Sequence, residues 1–145
     1  MNKFGFSFSK SNTRFSWYES EKIINVPKGI ADVLSGMNAD TILSEWHLEM
    51  MIYRTEEIIE FDSTIKPIHG KAIIFDNFFN DVCKSYFAHS KVITPDIIES
   101  VFNKVADDIS YKPFLLSSEQ LNTLAYLVFV REITHHLDIT SIKQG

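Results

Sequence analysis

Cysteine and glycine are both scarce in this 145-residue sequence. The one cysteine, Cys83, cannot form an internal disulfide and excludes a cysteine-rich zinc site. The five glycines are scattered, so no glycine-rich phosphate-binding loop is expected. Long hydrophobic runs are missing too, since the longest, 124–130, falls well short of the ~20 residues of a membrane helix. The N-terminus lacks the apolar stretch of a signal peptide, which predicts a cytoplasmic protein without membrane insertion.

What is present is the composition of an ordinary globular protein. Hydrophobic residues make up 45% and charged residues 23% of the chain, which excludes intrinsic disorder. At roughly 150 residues per domain, the length predicts a single domain covering residues 1–145. The net charge of −5 disfavours direct, nonspecific binding of nucleic acid, whose phosphates attract basic surfaces.

The N-terminal part of the chain has the two-residue period of a sheet. Phe4, Phe6 and Phe8 alternate with small residues, and a polar turn follows them. The pattern predicts an antiparallel hairpin of strands 3–9 and 14–19. Its aromatic side chains are expected to lie in the core.

The next segments are less regular. Residues 23–26 favour a third strand and residues 28–36 a short helix. Residues 41–53 fit both a helix that is apolar nearly all round and a strand with alternating acidic and apolar faces. We favour the strand, with residues 58–61 pairing back against it.

The second half of the chain has helical spacing. A helix is expected from about Phe75, and residues 70–75 fit either a strand before it or its first turns. Thr94-Pro95-Asp96 is a strong helix start. Ser117 and Gln120 form a capping-box pattern before a helix over 118–137, which should be the most buried one.

These segments together predict the fold class. Residues 1–62 are expected to be strand-rich and residues 71–137 helix-rich. Strands early and helices late favour the α+β class. The predicted architecture is an N-terminal, mostly antiparallel sheet with the C-terminal helices packed on one face.

Candidate catalytic and metal-binding residues were sought among histidine, cysteine and paired carboxylates. Glu132 and His135 have the i, i+3 spacing of a helical metal-binding pair, but the chain contains no second such pair. His135 and His136 fit the negative end of a helix dipole, with Glu132 pairing to His136. His47 is interpreted as a strand-surface residue and Cys83 as a partly buried, inert thiol. The sequence therefore predicts no catalytic residue, no cofactor and no metal.

Acidic residues are concentrated in one segment. Between positions 40 and 62 there are seven acidic residues and one basic residue, a formal charge of −6. A solubilising surface is one interpretation of this charge. A docking surface for a basic protein partner is the other, and it would contain Glu45, Glu49, Glu56, Glu57, Glu60 and Asp62.

The chain resembles bacterial toxin-immunity proteins, in particular those of contact-dependent growth inhibition systems. The resemblance is one of general type: a single acidic, aromatic-rich α+β domain without catalytic motifs. It implies a non-catalytic protein that binds and neutralises a cognate toxin domain, often a nuclease. Because nucleases carry basic surfaces, an acidic patch would be steered to them. A dedicated secretion chaperone, also small and acidic, and an enzyme of unknown type are the alternatives.

Overall fold

The computed structural model describes residues 3–145. The strands in this part of the chain are β1 (Phe4–Phe8), β2 (Thr13–Trp17), β3 (Lys22–Val26), β4 (Gly70–Ile74), β5 (Val92–Ile93) and β6 (Ile139–Gln144). The helices are α1 (Ile30–Val33), α2 (Glu45–Ile59), α3 (Phe78–Tyr86), α4 (Pro95–Tyr111) and α5 (Ser118–Leu137).

The strands form one mixed sheet in the order β3-β2-β1-β4-β6-β5. The neighbours β1, β2 and β3 pair antiparallel, whereas β1 pairs parallel with β4 and β4 pairs parallel with β6. The α+β class is as predicted, but the prediction of a mostly antiparallel sheet is wrong. Parallel neighbours need a long crossover connection, and here the helices occupy those crossovers.

The predicted N-terminal hairpin is confirmed. In its register Phe6 lies opposite Phe15, and all three phenylalanines of β1 are buried. The ring centroids of Phe6 and Phe8 lie 5.5 and 4.0 Å from that of Phe129 in α5. The third strand is confirmed as β3, and the predicted helix 28–36 is present as the shorter α1.

The strand predicted over 41–53 is wrong, because this segment belongs to the 15-residue helix α2. The apparent alternation placed Trp46 on a buried face, yet Trp46 is 60% exposed. The buried positions are instead spaced three and four apart, beginning Leu48, Met51 and Thr55. Residues 58–61 do not pair back as a strand, since Ile58 and Ile59 complete the same helix.

The C-terminal half follows the predicted start signals closely. Residues 70–74 form the strand β4, and α3 begins three residues later than predicted, at Phe78. The helix α4 begins at Pro95. Ser117 and Gln120 form the predicted capping box, with the Gln120 N–H donating to Ser117 Oγ at 3.2 Å.

The helix α5 is the centre of the core. It contacts α1, α2, α3 and α4, and the whole apolar run 124–130 is buried. Leu121, Leu124, Leu127 and Val128 are each 2% exposed or less, as predicted. None of the helices in residues 3–145 combines the length and hydrophobicity that a membrane span requires.

Candidate functional site at the carboxyl edge of the sheet

Three parallel strands, β1, β4 and β6, end at the same edge of the sheet, which we call the carboxyl edge. The chain leaves β1 toward β2 on one side, while β4 lies on the other side of β1. In open sheets flanked by helices, ligands bind beyond the carboxyl ends of the strands, where the strand order reverses direction. In this fold the strand order reverses direction between β1 and β4, so a ligand is expected near the gap between these two strands.

Asp76 lies at this point, two residues after the end of β4, and its carboxylate accepts three hydrogen bonds. Ser7 Oγ donates to Oδ1 at 2.6 Å, and the Phe8 N–H and the Tyr126 hydroxyl donate to Oδ2 at 2.7 and 2.5 Å. The carboxylate thus ties β1 to α5. A carboxylate has about four acceptor positions, so one remains for a water molecule or a ligand.

Tyr126 is fully buried beside this carboxylate. Burial, together with the negative charge of Asp76, raises the pKa of Tyr126 well above its usual value. The phenol is therefore a permanent hydrogen-bond donor to Asp76. The backbone oxygen of Asp76 accepts a further hydrogen bond from Gln144 Nε2 at 3.1 Å, which connects the end of β6 to the same network.

The turn between β1 and β2 is held against α1 by backbone hydrogen bonds. The N–H groups of Ile30 and Ala31 donate to the carbonyl oxygens of Ser9 and Lys10, both at 2.9 Å. Gly29 permits this approach, because a Cβ atom there would lie 2.1 Å from the Ser9 oxygen. The exposed polar turn is thereby fixed at the carboxyl edge.

A cleft of about 510 Å³ opens at the same edge, beside the end of β6. Five of its lining residues carry hydrogen-bond donors: Asn80, His89, Ser90, Lys91 and Gln144. We call it the carboxyl-edge cleft. A lysine among neutral donors is suited to binding the oxygens of an anion such as phosphate.

The cleft residue His89 and the residue before it in the chain, Ala88, have left-handed backbone conformations. Ala88 and His89 have φ angles of 50° and 62°, which non-glycine residues seldom adopt. The hydrogen bond from the His89 N–H to the Cys83 carbonyl, 3.1 Å long, holds this conformation. The loop that supplies His89, Ser90 and Lys91 is therefore fixed to α3.

Cys83 also lines this cleft, but its thiol is not activated. Burial raises the pKa of Cys83 to about 11, so at neutral pH the side chain is a thiol and not a nucleophilic thiolate. The prediction of a buried, unreactive cysteine agrees with this environment.

A second cleft, of about 420 Å³, lies at the opposite edge of the sheet, where β1 and β4 begin. Trp17, Thr64 and Lys66 are among its lining residues. It lies away from the strand ends that bind ligands in folds of this type.

Among the acidic residues predicted to bind a partner, Glu45 is exposed and Glu56 and Asp62 are half-buried, and these three make contacts within the protein. Glu45 accepts a hydrogen bond from the Ser110 hydroxyl, and Glu56 lies 3.2 Å from His136 Nε2. Asp62 accepts hydrogen bonds from the hydroxyl and N–H of Thr64, which lower the pKa of Asp62. The remaining three are exposed: Glu49, Glu57 and Glu60. Their role in binding a partner stays a prediction.

His47 occupies different surroundings from those expected, whereas His135 and His136 lie in the last turn of α5, as predicted. His47 is not on a strand surface, because it lies in the first turn of α2 and its Nδ1 accepts from the Ser44 N–H at 3.1 Å. The Nε2 atom of His135 lies 3.2 Å from Glu99 Oε2. The predicted pairing of His136 with Glu132 is present as a contact of 3.9 Å.

The residues of the carboxyl edge were not singled out by sequence reasoning. Asp76 carried one usable signal, an acidic residue directly after the apolar run 72–75 and before a helix. The hydrogen-bond donors of the cleft carry no such sequence signal, because they come separately from α3, the 89–91 loop and β6.

Comparison with known proteins finds similar folds among solved structures. No protein-family model and no curated protein matches the sequence. A solved Aquifex aeolicus PPX-GPPA enzyme has a TM-score of 0.74 and 12% identity over 100% of this chain. The type II variant of the Aquifex aeolicus Ppx/GppA phosphatase has a TM-score of 0.70 and 11% identity over 99% of the chain. An exopolyphosphatase-like protein has a TM-score of 0.69 and 8% identity over 100% of the chain.

The chain spans about half the length of these structures, since it covers 53%, 53% and 54% of them. At such low sequence identity the likeness shows a shared fold. It overturns the resemblance to toxin-immunity proteins, and with it the prediction of a non-catalytic toxin inhibitor that is not an enzyme. These similar structures are described as Ppx/GppA-family or exopolyphosphatase-like proteins.

Proposed function

We propose that this chain is a phosphatase-type domain that binds a phosphoanhydride chain in the carboxyl-edge cleft and takes part in its hydrolysis. The observation that carries the proposal is the cleft with five donor residues at the edge where this fold binds ligands. The likeness to Ppx/GppA and exopolyphosphatase-like structures supports polyphosphate as the class of substrate.

In this proposal the cleft residues bind the terminal phosphate. Lys91 offsets its negative charge, while Asn80, Ser90 and Gln144 donate to its oxygens. The protein as a whole is acidic, so binding depends on this local set of donors and not on a general positive field.

Asp76 is the proposed general base. Its remaining acceptor position would take a proton from the attacking water as the water oxygen bonds to phosphorus and the bridging P–O bond breaks. The electrons of that bond stay on the bridging oxygen, which leaves with the shortened polyphosphate chain, while the terminal group is released as phosphate. Hydrogen bonds from Ser7, Phe8 and Tyr126 keep the carboxylate in one orientation, which is the positioning that phosphoryl transfer requires.

Binding is tested with tripolyphosphate and the full chain by isothermal titration calorimetry. Lys91→Ala removes a charged donor whose hydrogen bond is worth about 1.5–3 kcal/mol, so affinity should fall at least ~10-fold. Lys66→Ala is the matched control, because this lysine lines the cleft at the opposite edge. Equal affinity of the wild type and Lys91→Ala would show that the carboxyl-edge cleft is not the phosphate site.

Hydrolysis is tested by phosphate release from polyphosphate with Mg²⁺, which binds together with substrate phosphates. Asp76→Asn should lower the rate of phosphate release at least ~100-fold, which is the lower end of the usual rate contribution of a general base. Tripolyphosphate should still bind to this variant. Circular dichroism of the variant checks that it folds. An unchanged rate would remove Asp76 from the reaction, and binding without any release by the wild type would restrict the proposal to phosphate recognition.

A further inference from the structure

A second cluster of chemically active side chains lies on the helices, outside the carboxyl-edge cleft. It contains Glu56 of α2 together with Glu132 and His136 of α5. His136 Nε2 lies 3.2 Å from Glu56 Oε2 and 3.9 Å from Glu132 Oε1. One ligand atom from each residue lies within 4.8 Å of the other two.

The helix geometry explains why these three side chains meet. Glu132 and His136 are four residues apart, so they lie on the same face of α5. The helix α2 packs along α5 and brings Glu56 to that face. The convergence therefore depends on rigid secondary structure, which holds ligand groups more precisely than loops do.

A supporting layer fixes the buried member of the cluster. Glu132 is only 4% exposed, and its Oε2 accepts a hydrogen bond from Arg131 Nη1 at 2.7 Å. Arg131 in turn binds Glu99 through Nε and Nη2 at 3.0 and 3.2 Å and lies 4.0 Å over the ring of Phe102. Because Arg131 holds Oε2, the other oxygen of Glu132 is the one nearer His136.

The charges of the cluster favour a cation. The cluster and its supporting residues contain three carboxylates, those of Glu56, Glu99 and Glu132, and one guanidinium, that of Arg131, which leaves two negative charges when the histidines are neutral. The Glu132 side chain is buried, so its carboxylate has little access to water. A divalent ion at Glu132 would compensate this buried charge.

We propose that Glu56 Oε2, Glu132 Oε1 and His136 Nε2 bind a divalent transition-metal ion of the Zn²⁺ type. Bonds of about 2.0–2.1 Å in a tetrahedron separate ligand atoms by roughly 3.4 Å, close to the 3.2 and 3.9 Å observed. Three protein ligands leave one coordination position for water. Arg131 acts as the outer partner that orients a ligating carboxylate. The site differs from the Glu132–His135 pair that the sequence suggested and does not depend on the proposed phosphatase function.

The experiment uses the full chain stripped of metal with a chelator and titrated with ZnCl₂ by calorimetry. Wild type should bind one equivalent. His136→Gln and Glu56→Gln should each weaken binding at least ~100-fold, because loss of a ligand exceeds the ~10–100-fold cost of losing an outer partner. Co²⁺ serves as a second probe, since its visible absorption spectrum should be that of a four-coordinate site in the wild type and should be lost in His136→Gln.

His135→Gln is the matched control. The neighbouring pair of His135 and Glu99 has the same 3.2 Å separation but no third ligand among residues 3–145, so this variant should keep full Zn²⁺ affinity. Circular dichroism of each variant checks folding, and the partly exposed Glu56 provides a substitution that the fold should tolerate. The proposal is overturned by a wild type without one-equivalent binding, by unchanged binding in both ligand variants, or by equal losses in His135→Gln and His136→Gln.

Discussion

At the scale of single residues, two ionisable side chains on α3, the buried Cys83 and the half-buried Tyr86, predict how stability changes in alkaline solution. Burial raises the pKa of Tyr86 from 10.0 to about 12 and that of Cys83 from 9.0 to about 11. Both groups are neutral at physiological pH, so the raised pKa values do not change the free energy of unfolding there. As pH rises above the unfolded-state pKa, the unfolded chain ionises first and becomes relatively more stable.

The free energy of unfolding should therefore fall as pH rises through 9 to 11 for the thiol and 10 to 12 for the phenol. Tyr86→Phe removes the phenol, so its stability should decline less steeply above about pH 10 than that of the wild type. Urea unfolding at about pH 9 and pH 11 measures the difference. Tyr111→Phe is the control, because Tyr111 is 90% exposed. Parallel curves for Tyr86→Phe and wild type would contradict the assigned burial.

At the scale of elements, the attachment of α1 to the β1–β2 turn depends on close backbone contact. A Cβ atom at Gly29 would lie 2.1 Å from the Ser9 oxygen and 2.8 Å from the Asn12 nitrogen. These neighbours are backbone atoms, so they cannot move aside as a side chain does. The turn would have to separate from α1 to accept alanine.

Gly29→Ala should therefore lower the free energy of unfolding by about 1–3 kcal/mol, the usual cost of overpacking. Urea unfolding measures this loss. Gly70→Ala is the matched control, since the nearest atom to its Cβ would be the Ile68 oxygen at 3.8 Å, an ordinary contact. We expect a change within about 0.5 kcal/mol for Gly70→Ala. Similar losses in both variants would show that the turn is not constrained at Gly29.

The elements that could be predicted from sequence are those with complete local signals. The N-terminal hairpin has an unbroken two-residue period and α5 has a capping box, so both were located closely. The helix α2 was missed because Trp46 and Tyr53 are apolar but exposed, which obscured its buried face. The strand β6 was missed because it follows α5 after one left-handed residue, Asp138, without a proline or glycine.

The missing β6 explains why the sheet was predicted to be mostly antiparallel. This strand pairs parallel with β4, from which it is separated in sequence by α3, α4 and α5. Such pairing leaves no local pattern. The candidate site depends on the same topology: the carboxyl-edge cleft exists only once Gln144 of β6 lies beside Asn80 of α3.

At the scale of the whole molecule, Asp76 connects parts of the chain that are distant in sequence. Its carboxylate binds β1 and α5, and its backbone oxygen binds Gln144 of β6. The partners are 50 to 69 residues away along the chain. The network thus joins segments of the sheet edge that the crossovers separate in sequence.

The strength of this closure is measured by a double-mutant cycle on Asp76→Asn and Tyr126→Phe. A hydrogen bond to a charged group contributes about 1.5–3 kcal/mol, so the coupling between the two substitutions should fall in this range by urea unfolding. The control cycle pairs Asp76→Asn with Tyr86→Phe. Tyr86 shares no hydrogen bond with Asp76, and the two effects should therefore add within about 0.5 kcal/mol.

Strong coupling in the first cycle alone would show that the buried phenol holds the Asp76 carboxylate across the junction of β1, β4 and α5. Phosphate release would then distinguish the structural role of Asp76 from its proposed role as general base. Tyr126→Phe keeps the carboxylate but removes one of its three donors, so it should reduce phosphate release less than Asp76→Asn does. If the two cycles give the same coupling, the bond between Tyr126 and Asp76 contributes nothing specific, and the carboxyl edge is held by the backbone pairing of its strands.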